Sequence, residues 1–430
     1  MAGVSQFEAR FKLITFPMYN SEIIQASRFV SNVEVKEMNR SSTGRMYGLG
    51  ALALLLWTPP LQAQESMDMR DQTYRQLTAA DAAGLDAPEL PAPDGEVVTV
   101  RTLVDERLVE FDIGPVDLPA GMDHLRLPIQ MAEFPVDGWI HGFEIEMVDE
   151  DGNEIPLDLL HHVNFIDPDK RELFSSIARR IMAAGRETVR ERFPDLIGYP
   201  ISDGDRMLIS TMFANPLGRD YSGSHLIVRF FYSTESDGMF QPRDVFPFYL
   251  DVMGPVGGKD FPVTPGKTVQ YWEGQPAVDG RILAIGGHVH DHASKLTLVD
   301  MTTGKTVWET EPAVSAEGRV TGIPSGTFFW TLGRRIFADH TYRISAEYDN
   351  PLDVPAPDGG MGAIGGVVWV GKNTVWPEFD RGDDSYVADL INTLEAPANL
   401  HSHGTQDMSA ENEPDMEGMP AEAENGDHTH

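Results

Sequence analysis

The chain contains no cysteine. A disulfide, a thiolate ligand and a thiol nucleophile are therefore excluded, and packing of apolar side chains must hold the fold together. Any metal ion would have to be bound by histidine, methionine, aspartate or glutamate.

Basic residues are scarce as well. The chain has 33 lysines and arginines against 67 aspartates and glutamates, which gives a formal net charge of −34. A surface of this kind repels nucleic acid and anionic lipid, so neither is expected as a partner. The acidity weakly concentrates cations and keeps an exported protein soluble.

No apolar run is long enough to span a bilayer, whose hydrocarbon core is about 30 Å thick. The run Tyr47–Trp57 follows basic residues and precedes the small residue Ala63, which is the pattern of a secretory signal peptide. We expect a signal peptide over 38–63 that starts at Met38, and residues 1–37 to lie upstream of the true start. The mature protein is then secreted or periplasmic and has no stable membrane insertion.

A chain of 430 residues predicts two domains. Short runs of β-branched and aromatic residues, broken by Gly, Pro, Asn and Asp, predict an all-β sandwich architecture. The predicted organisation is a linker over 64–95, a first β domain over 96–253, a second over 254–375, and a short helix followed by a disordered acidic tail over 376–430. The clearest predicted strands are 97–100, 140–147, 226–232 and 342–348.

One helix is predicted inside the first domain, over about 168–192. Asp167 before Pro168 resembles a helix N-terminus, and apolar residues recur at helical spacing behind it. These apolar residues are Leu173, Phe174, Ile177, Ile181 and Met182, and the arginines on the other faces are Arg179, Arg180, Arg186 and Arg190. The arginines would either grip an anion or form a solvated helix face.

The most informative motif is Gly286-Gly287-His288-Val289-His290-Asp291-His292. On a strand, His288 and His290 point to the same side about 6.6 Å apart, so that both imidazoles can reach one ion. Met361, in a glycine-rich loop, would add a thioether and favour copper, particularly Cu(I). Alternatively, the histidines are surface residues and Met361 fills a gap in the core.

A second motif, His161-His162, also lies on a predicted strand. Neighbours on a strand face opposite ways, so a shared ion requires a bulge or twist at this point. Otherwise one imidazole is buried and the other is exposed.

The order of these motifs resembles the copper type II, ascorbate-dependent monooxygenases, over roughly residues 96–372. The resemblance implies two tandem jelly-roll-like β-sandwich domains, with copper bound by His288, His290 and Met361 in the second. It also implies a three-histidine copper site in the first domain, where His161 and His162 match. That family is rich in disulfides, and this chain has none.

The third ligand of the first-domain site should lie near 207–215, where no histidine occurs. His225 and Met212 are the nearest substitutes, which favours one copper rather than two. The polar tail adds further donors, at His401, His403, Met416, Met419, His428 and His430.

Three functions remain open at this stage. The first is oxidation of a small organic molecule or peptide at the His288 site, with an external electron donor and with Asp291 and His292 as supporting groups. The second is a non-catalytic copper carrier of the cell envelope. The third is a β-sandwich binding module without metal.

Overall fold

Strands alternate buried and exposed residues along most of the chain, as the sequence predicts. The computed structural model describes residues 76–93, 97–185, 188–238, 240–315, 319–356, 359–377 and 379–395. The predicted signal peptide, the upstream extension and the acidic tail lie outside this range. No helix in it is long and apolar enough to cross a membrane.

The first half of the described chain forms eleven strands. They are β1 (Val98–Leu103), β2 (Leu108–Leu118), β3 (Met122–Arg126), β4 (Gln130–Glu133), β5 (Gly138–Val148), β6 (Leu160–Arg171), β7 (Ala178–Ala184), β8 (Arg190–Arg192), β9 (Ile197–Ile201), β10 (Arg206–Asn215) and β11 (Tyr221–Ser233).

The second half adds eleven more strands and a helix. The strands are β12 (Arg243–Asp251), β13 (Gly266–Gly274), β14 (Gly280–Val289), β15 (Ala293–Asp300), β16 (Lys305–Thr310), β17 (Ala313–Val314), β18 (Val320–Gly322), β19 (Gly326–Thr327), β20 (Arg334–Ile336), β21 (Tyr342–Asn350) and β22 (Gly362–Val370). The helices are α1 (Ala79–Ala82), before the first strand, and α2 (Asp384–Glu395), after the last.

One long sheet runs through both halves, in the order β1-β2-β11-β5-β9-β12-β22-β14-β19. Its first part packs on a five-stranded sheet, β3-β10-β6-β7 with β4 beside β10, and its second part packs on β13-β21-β15-β16. These two layered pairs are the first and second sandwich. The all-β sandwich prediction is confirmed.

The sandwiches are joined through the long sheet. β9 pairs in parallel with β12, and β12 pairs along its length with β22. β12 therefore belongs to the second sandwich, although it precedes the predicted boundary between residues 253 and 254. All described residues fall within one unit of the chain, Asp68–His430.

Each sandwich has its own apolar core. In the first, the Phe111 ring meets Phe134, Phe165 and Phe230 edge to face, with centroids 5.1–5.7 Å apart. These geometries are the favourable ones for aromatic pairs. The second core contains buried side chains from β12, β14, β15, β21 and β22.

The predicted helical insertion over about 168–192 is wrong. These residues form the end of β6, a tight connection closed by the bond from Glu172 N to Ile177 O (2.9 Å), and then β7 and β8. Asp167 caps a turn rather than a helix, because its carboxylate accepts a hydrogen bond from Asp169 N at 2.9 Å.

The apolar residues in this segment pack against the second sandwich rather than along a helix face. Leu173 and Phe174, at the tip of the β6–β7 hairpin, are buried in the core of the second sandwich. The Phe174 ring lies 6.0 Å from those of Phe248 and Tyr342. The hairpin tip of the first sandwich is thus inserted into the core of the second.

The arginines of this segment do not form a solvated helix face. Arg180 on β7 forms a bidentate ion pair with Asp389 of α2, and Arg190 on β8 contacts Glu144 at 3.1 Å. Arg186 lies outside the described residues.

The predicted C-terminal helix is confirmed as α2, which packs on the outer face of the five-stranded sheet with Tyr386 and Leu390 buried. Part of the predicted linker over 64–95 packs as well. α1 is closed by a capping box between Thr78 and Asp81, and its Ala82 is buried against α2.

Candidate metal centre

The His-x-His motif lies where β14 ends beside the start of β22. In this antiparallel pair His288 is opposite Ala363 and Val289 is opposite Gly362, and His290 and Met361 are the first residues beyond the two strands. The predicted ligand residues therefore lie at the same edge of the sheet. The rings of His288 and His290 are 5.4 Å apart and perpendicular.

Tyr348 of β21 fixes this edge from the opposite sheet. Its hydroxyl accepts hydrogen bonds from His290 N (3.0 Å) and Met361 N (2.9 Å), and donates one to the Met361 carbonyl. The side chain is buried, which raises the pKa of Tyr348 to about 12 and keeps the phenol neutral. One hydroxyl therefore holds two of the three candidate ligand residues by their backbones.

The glycines around these residues are needed for close packing. A Cβ at Gly287 would lie 2.3 Å from Leu296 Cδ2, and one at Gly360 would lie 2.6 Å from the Phe261 ring. The glycines beside these candidate ligands thus allow the backbone to pack closely against neighbouring side chains.

Asp291, directly after His290, does not join this group. Its carboxylate accepts a hydrogen bond from Val320 N at 2.7 Å, so it does not take the supporting position expected from the sequence. His292 has a left-handed backbone (φ 69°), and its carbonyl accepts a bond from Asp349 N. The supporting role of the His292 side chain stays a prediction.

The bulge required by His161-His162 is present. On β10, Met212 is opposite His162 and Phe213 is opposite Leu160, so His161 is the extra residue of β6. A bulge of this type turns two successive side chains toward the same face. The two rings are 5.0 Å apart.

A third histidine completes this group, and sequence reasoning missed it. His124 on β3 has its ring 4.6 Å from that of His161. It lies far from both motifs in the chain, in a short strand with no histidine pattern of its own. The only available signal was its occurrence among just thirteen histidines.

Of the two substitutes for the third ligand, only Met212 lies here, buried beside His162. His225 is on β11 of the long sheet and bonds Asp112 through Nδ1 at 2.6 Å. The tail histidines and methionines lie outside the described residues.

A cavity of about 520 Å³ is lined by histidines of both sandwiches. His124 and His161 line it from the first sandwich and His288 from the second, together with Asp123 and Asp158. Burial lowers the pKa of His162 to about 3, helped by nearby positive charge on His161, Arg126, His288 and His124. His162 is therefore neutral at physiological pH, the form that can donate a lone pair.

Within the described ranges, no group of three or more histidine, aspartate and glutamate side chains is arranged to hold a metal ion. The adjoining ends of β14 and β22 carry the three ligands predicted from the sequence, the imidazoles of His288 and His290 and the thioether of Met361. These donors suit a soft or borderline transition-metal ion better than Ca²⁺ or Mg²⁺.

Comparisons with known proteins do not name a family. No family model matches the chain, and no curated protein matches it. Similar solved structures include the atomic structure of Sulfolobus Turreted Icosahedral Virus, at 10% identity and a TM-score of 0.33, covering 67% of this chain and 99% of that one. They also include the major capsid protein P2 from bacteriophage PM2, at 10% and 0.29, covering 59% and 99%, and PNGF-II, at 9% and 0.27, covering 66% and 63%.

The resemblance to copper type II monooxygenases is therefore wrong as an assignment. Neither a family model nor a curated protein supports it. The monooxygenase and oxidoreductase activity that it implied is withdrawn with it. At such identities and TM-scores the similar structures assign no function either.

Proposed function

We propose that this chain is a non-catalytic β-sandwich binding protein that holds a transition-metal ion between its two sandwiches. Copper is the ion that the donor set favours. The proposed ligands are the imidazoles of His288 and His290 and the thioether of Met361. Because no oxidation is proposed, neither an electron donor nor an organic substrate belongs to the proposal.

The observation that carries the proposal is the shared anchoring of His290 and Met361, whose backbone N–H groups both donate to the buried Tyr348 hydroxyl. His290 directly follows β14 and Met361 directly precedes β22, so two strands and this hydroxyl restrict both backbones. Rigid strands hold ligands more accurately than loops do, and a preformed ligand set costs less entropy on binding.

The opposite wall of the cavity supports a carrier role. His124, His161 and His162 offer a second set of imidazoles at the same cavity, and Asp123 adds a carboxylate to its lining. An ion that enters the cavity therefore meets donors on both sides, which suits exchange of the ion rather than chemistry on a bound substrate.

Competition titrations against a Cu(I) chelator and a Cu(II) chelator test this assignment. Met361→Ala should weaken Cu(I) binding by about tenfold or more and leave Cu(II) binding nearly unchanged, because a soft thioether prefers the reduced ion. Met301→Ala is the matched control, since Met301 is an exposed methionine in the turn after β15. Equal losses for both oxidation states, or the same loss in the control, would contradict the His2Met assignment.

A metal-free binding module is the second candidate. The observation in its favour is that no three histidine or carboxylate side chains converge in the described part of the chain. Elemental analysis of untagged protein from cells supplied with copper separates the two candidates, because the metal-free module would carry no stoichiometric ion.

The proposed location is the cell envelope or the exterior, on the strength of the signal-peptide pattern over 38–63. N-terminal sequencing of protein from its native source should find Gln64 as the first residue. A chain that retains residues 1–37 would refute both the start at Met38 and the export.

A further inference from the structure

An apolar and cationic patch lies on the outer face of the long sheet in the second sandwich. Its tip is the loop between β19 and β20, where the Trp330 side chain is 98% exposed and Leu332 is 67% exposed. Neighbouring exposed apolar side chains, unlike single ones, are a feature of interaction sites.

Hydrogen bonds hold the loop that carries Trp330 in place. Phe328 N donates to Leu283 O (2.7 Å), and Gly333 N donates to Phe328 O (2.9 Å). The Arg281 guanidinium donates to Leu332 O at 3.1 Å. Leu332 has a left-handed backbone (φ 57°), a conformation that non-glycine residues rarely adopt. The fold thus holds an apolar tip in solvent at an energetic cost.

Arginines surround the tip. Arg281 and Arg335 are directly opposite each other on β14 and β20, and Arg281 is opposite Trp369 on β22. The Arg243 guanidinium lies over the Trp369 ring at 5.2 Å. Like charges on facing positions of a sheet destabilise it, so this cluster also costs stability.

These arginines are not paired with any of the carboxylates that the structure describes. Several arginines elsewhere pair with carboxylates, as Arg229 and Arg343 do. In the part of the chain that the structure describes, Arg243, Arg281, Arg334 and Arg335 form no ion pair. The carboxylates on the adjoining residues have other partners, because Asp279 accepts from Ala338 N and Asp244 from Trp139 Nε1, both at 2.8 Å.

We propose that this patch, defined by Trp330, Leu332, Arg243, Arg281 and Arg335, docks the protein reversibly on an anionic lipid surface. Tryptophan prefers the headgroup region of a bilayer, and arginines beside it can pair with lipid phosphates. The net charge of −34 opposes approach at long range, but salt screens that repulsion beyond about 8 Å at physiological ionic strength.

Sedimentation of the full chain with vesicles tests the proposal, using phosphatidylcholine alone and phosphatidylcholine mixed with phosphatidylglycerol. The protein should bind the mixed vesicles, and Trp330→Ser should weaken binding by about tenfold. Arg335→Glu should weaken it by more than about fivefold, and by less at high salt. The Trp330 side chain is exposed, so its replacement should leave the melting temperature unchanged.

Two matched variants serve as controls. Val269→Ser removes another exposed apolar side chain, on β13, and Arg219→Glu reverses an exposed arginine near β11. Both should bind like the native chain. No binding to mixed vesicles, equal binding to neutral ones, or equal losses in the controls would overturn the proposal. So would sedimentation-velocity evidence that Trp330 mediates self-association in place of lipid binding.

Discussion

The ion pair between Arg180 and Asp389 tests how α2 is held against the first sandwich. Asp389 is 5% exposed and the Arg180 side chain is 18% exposed, with one bond of 2.8 Å between Nη1 and Oδ2. Asp389→Asn keeps the shape of the side chain but removes its charge and leaves Arg180 buried without a full counter-charge. Breaking a buried pair from one side costs about 3–5 kcal/mol. Glu172, whose carboxylate accepts a hydrogen bond from Arg180 N, offers partial compensation and favours the lower end.

Urea unfolding at neutral pH measures the effect on the free energy of unfolding. The double variant Arg180→Met with Asp389→Leu supplies the second arm, because apolar residues of similar volume often replace a buried pair without loss. We expect the double variant to be at least about 2 kcal/mol more stable than Asp389→Asn. A single variant that loses less than about 1 kcal/mol would show the pair to be solvent-screened and refute the reasoning.

Two further predictions concern single buried sites. His141 is buried, with Nδ1 bonded to the Ile197 carbonyl and Nε2 to Ser233 Oγ, and burial lowers its pKa. As the pH falls, the unfolded state therefore takes up the proton first. The stability that this group contributes is complete above the unfolded pKa near 6.5 and is lost below it. Between pH 7 and pH 5, urea unfolding should show a smaller decline in the free energy of unfolding for His141→Gln than for the native chain. Gly287→Ala should destabilise by about 1–3 kcal/mol, since its Cβ would lie 2.3 Å from Leu296 Cδ2; thermal unfolding checks this, and a neutral result would mean that Leu296 moves aside freely.

Local patterns predicted most strands because burial repeats every second residue along them. β21, with its alternation of buried and partly exposed positions, is a typical case. The same reasoning failed over 168–192, where Leu173, Phe174 and Ile177 have helical spacing by coincidence. Their burial comes from the hairpin tip that enters the second sandwich, and such a long-range contact leaves no local period in the sequence.

Some residues of the candidate site could be predicted from the sequence and others could not. Strand geometry, which acts over a few residues, predicts that His288 lies near His290 and that His161-His162 need a bulge to share a face. Met361 needed an assumption about a distant strand, and its role as a ligand stays a prediction. His124 could not be found, because only the pairing of β3 with β10, and of β10 with β6, brings it beside His161.

The relation between the two sandwiches decides whether the histidine groups act together. Two features hold that relation: the parallel pairing of β9 with β12 and the insertion of Phe174 into the second core. α2 packs on the first sandwich and reaches the site there, because Arg126 beside His162 donates to the Thr393 carbonyl at 3.0 Å. A change that loosens α2 should therefore disturb the histidines of the first sandwich before it unfolds either core. Metal binding at the His288 site would survive such a change, whereas exchange with the histidines of the first sandwich would not.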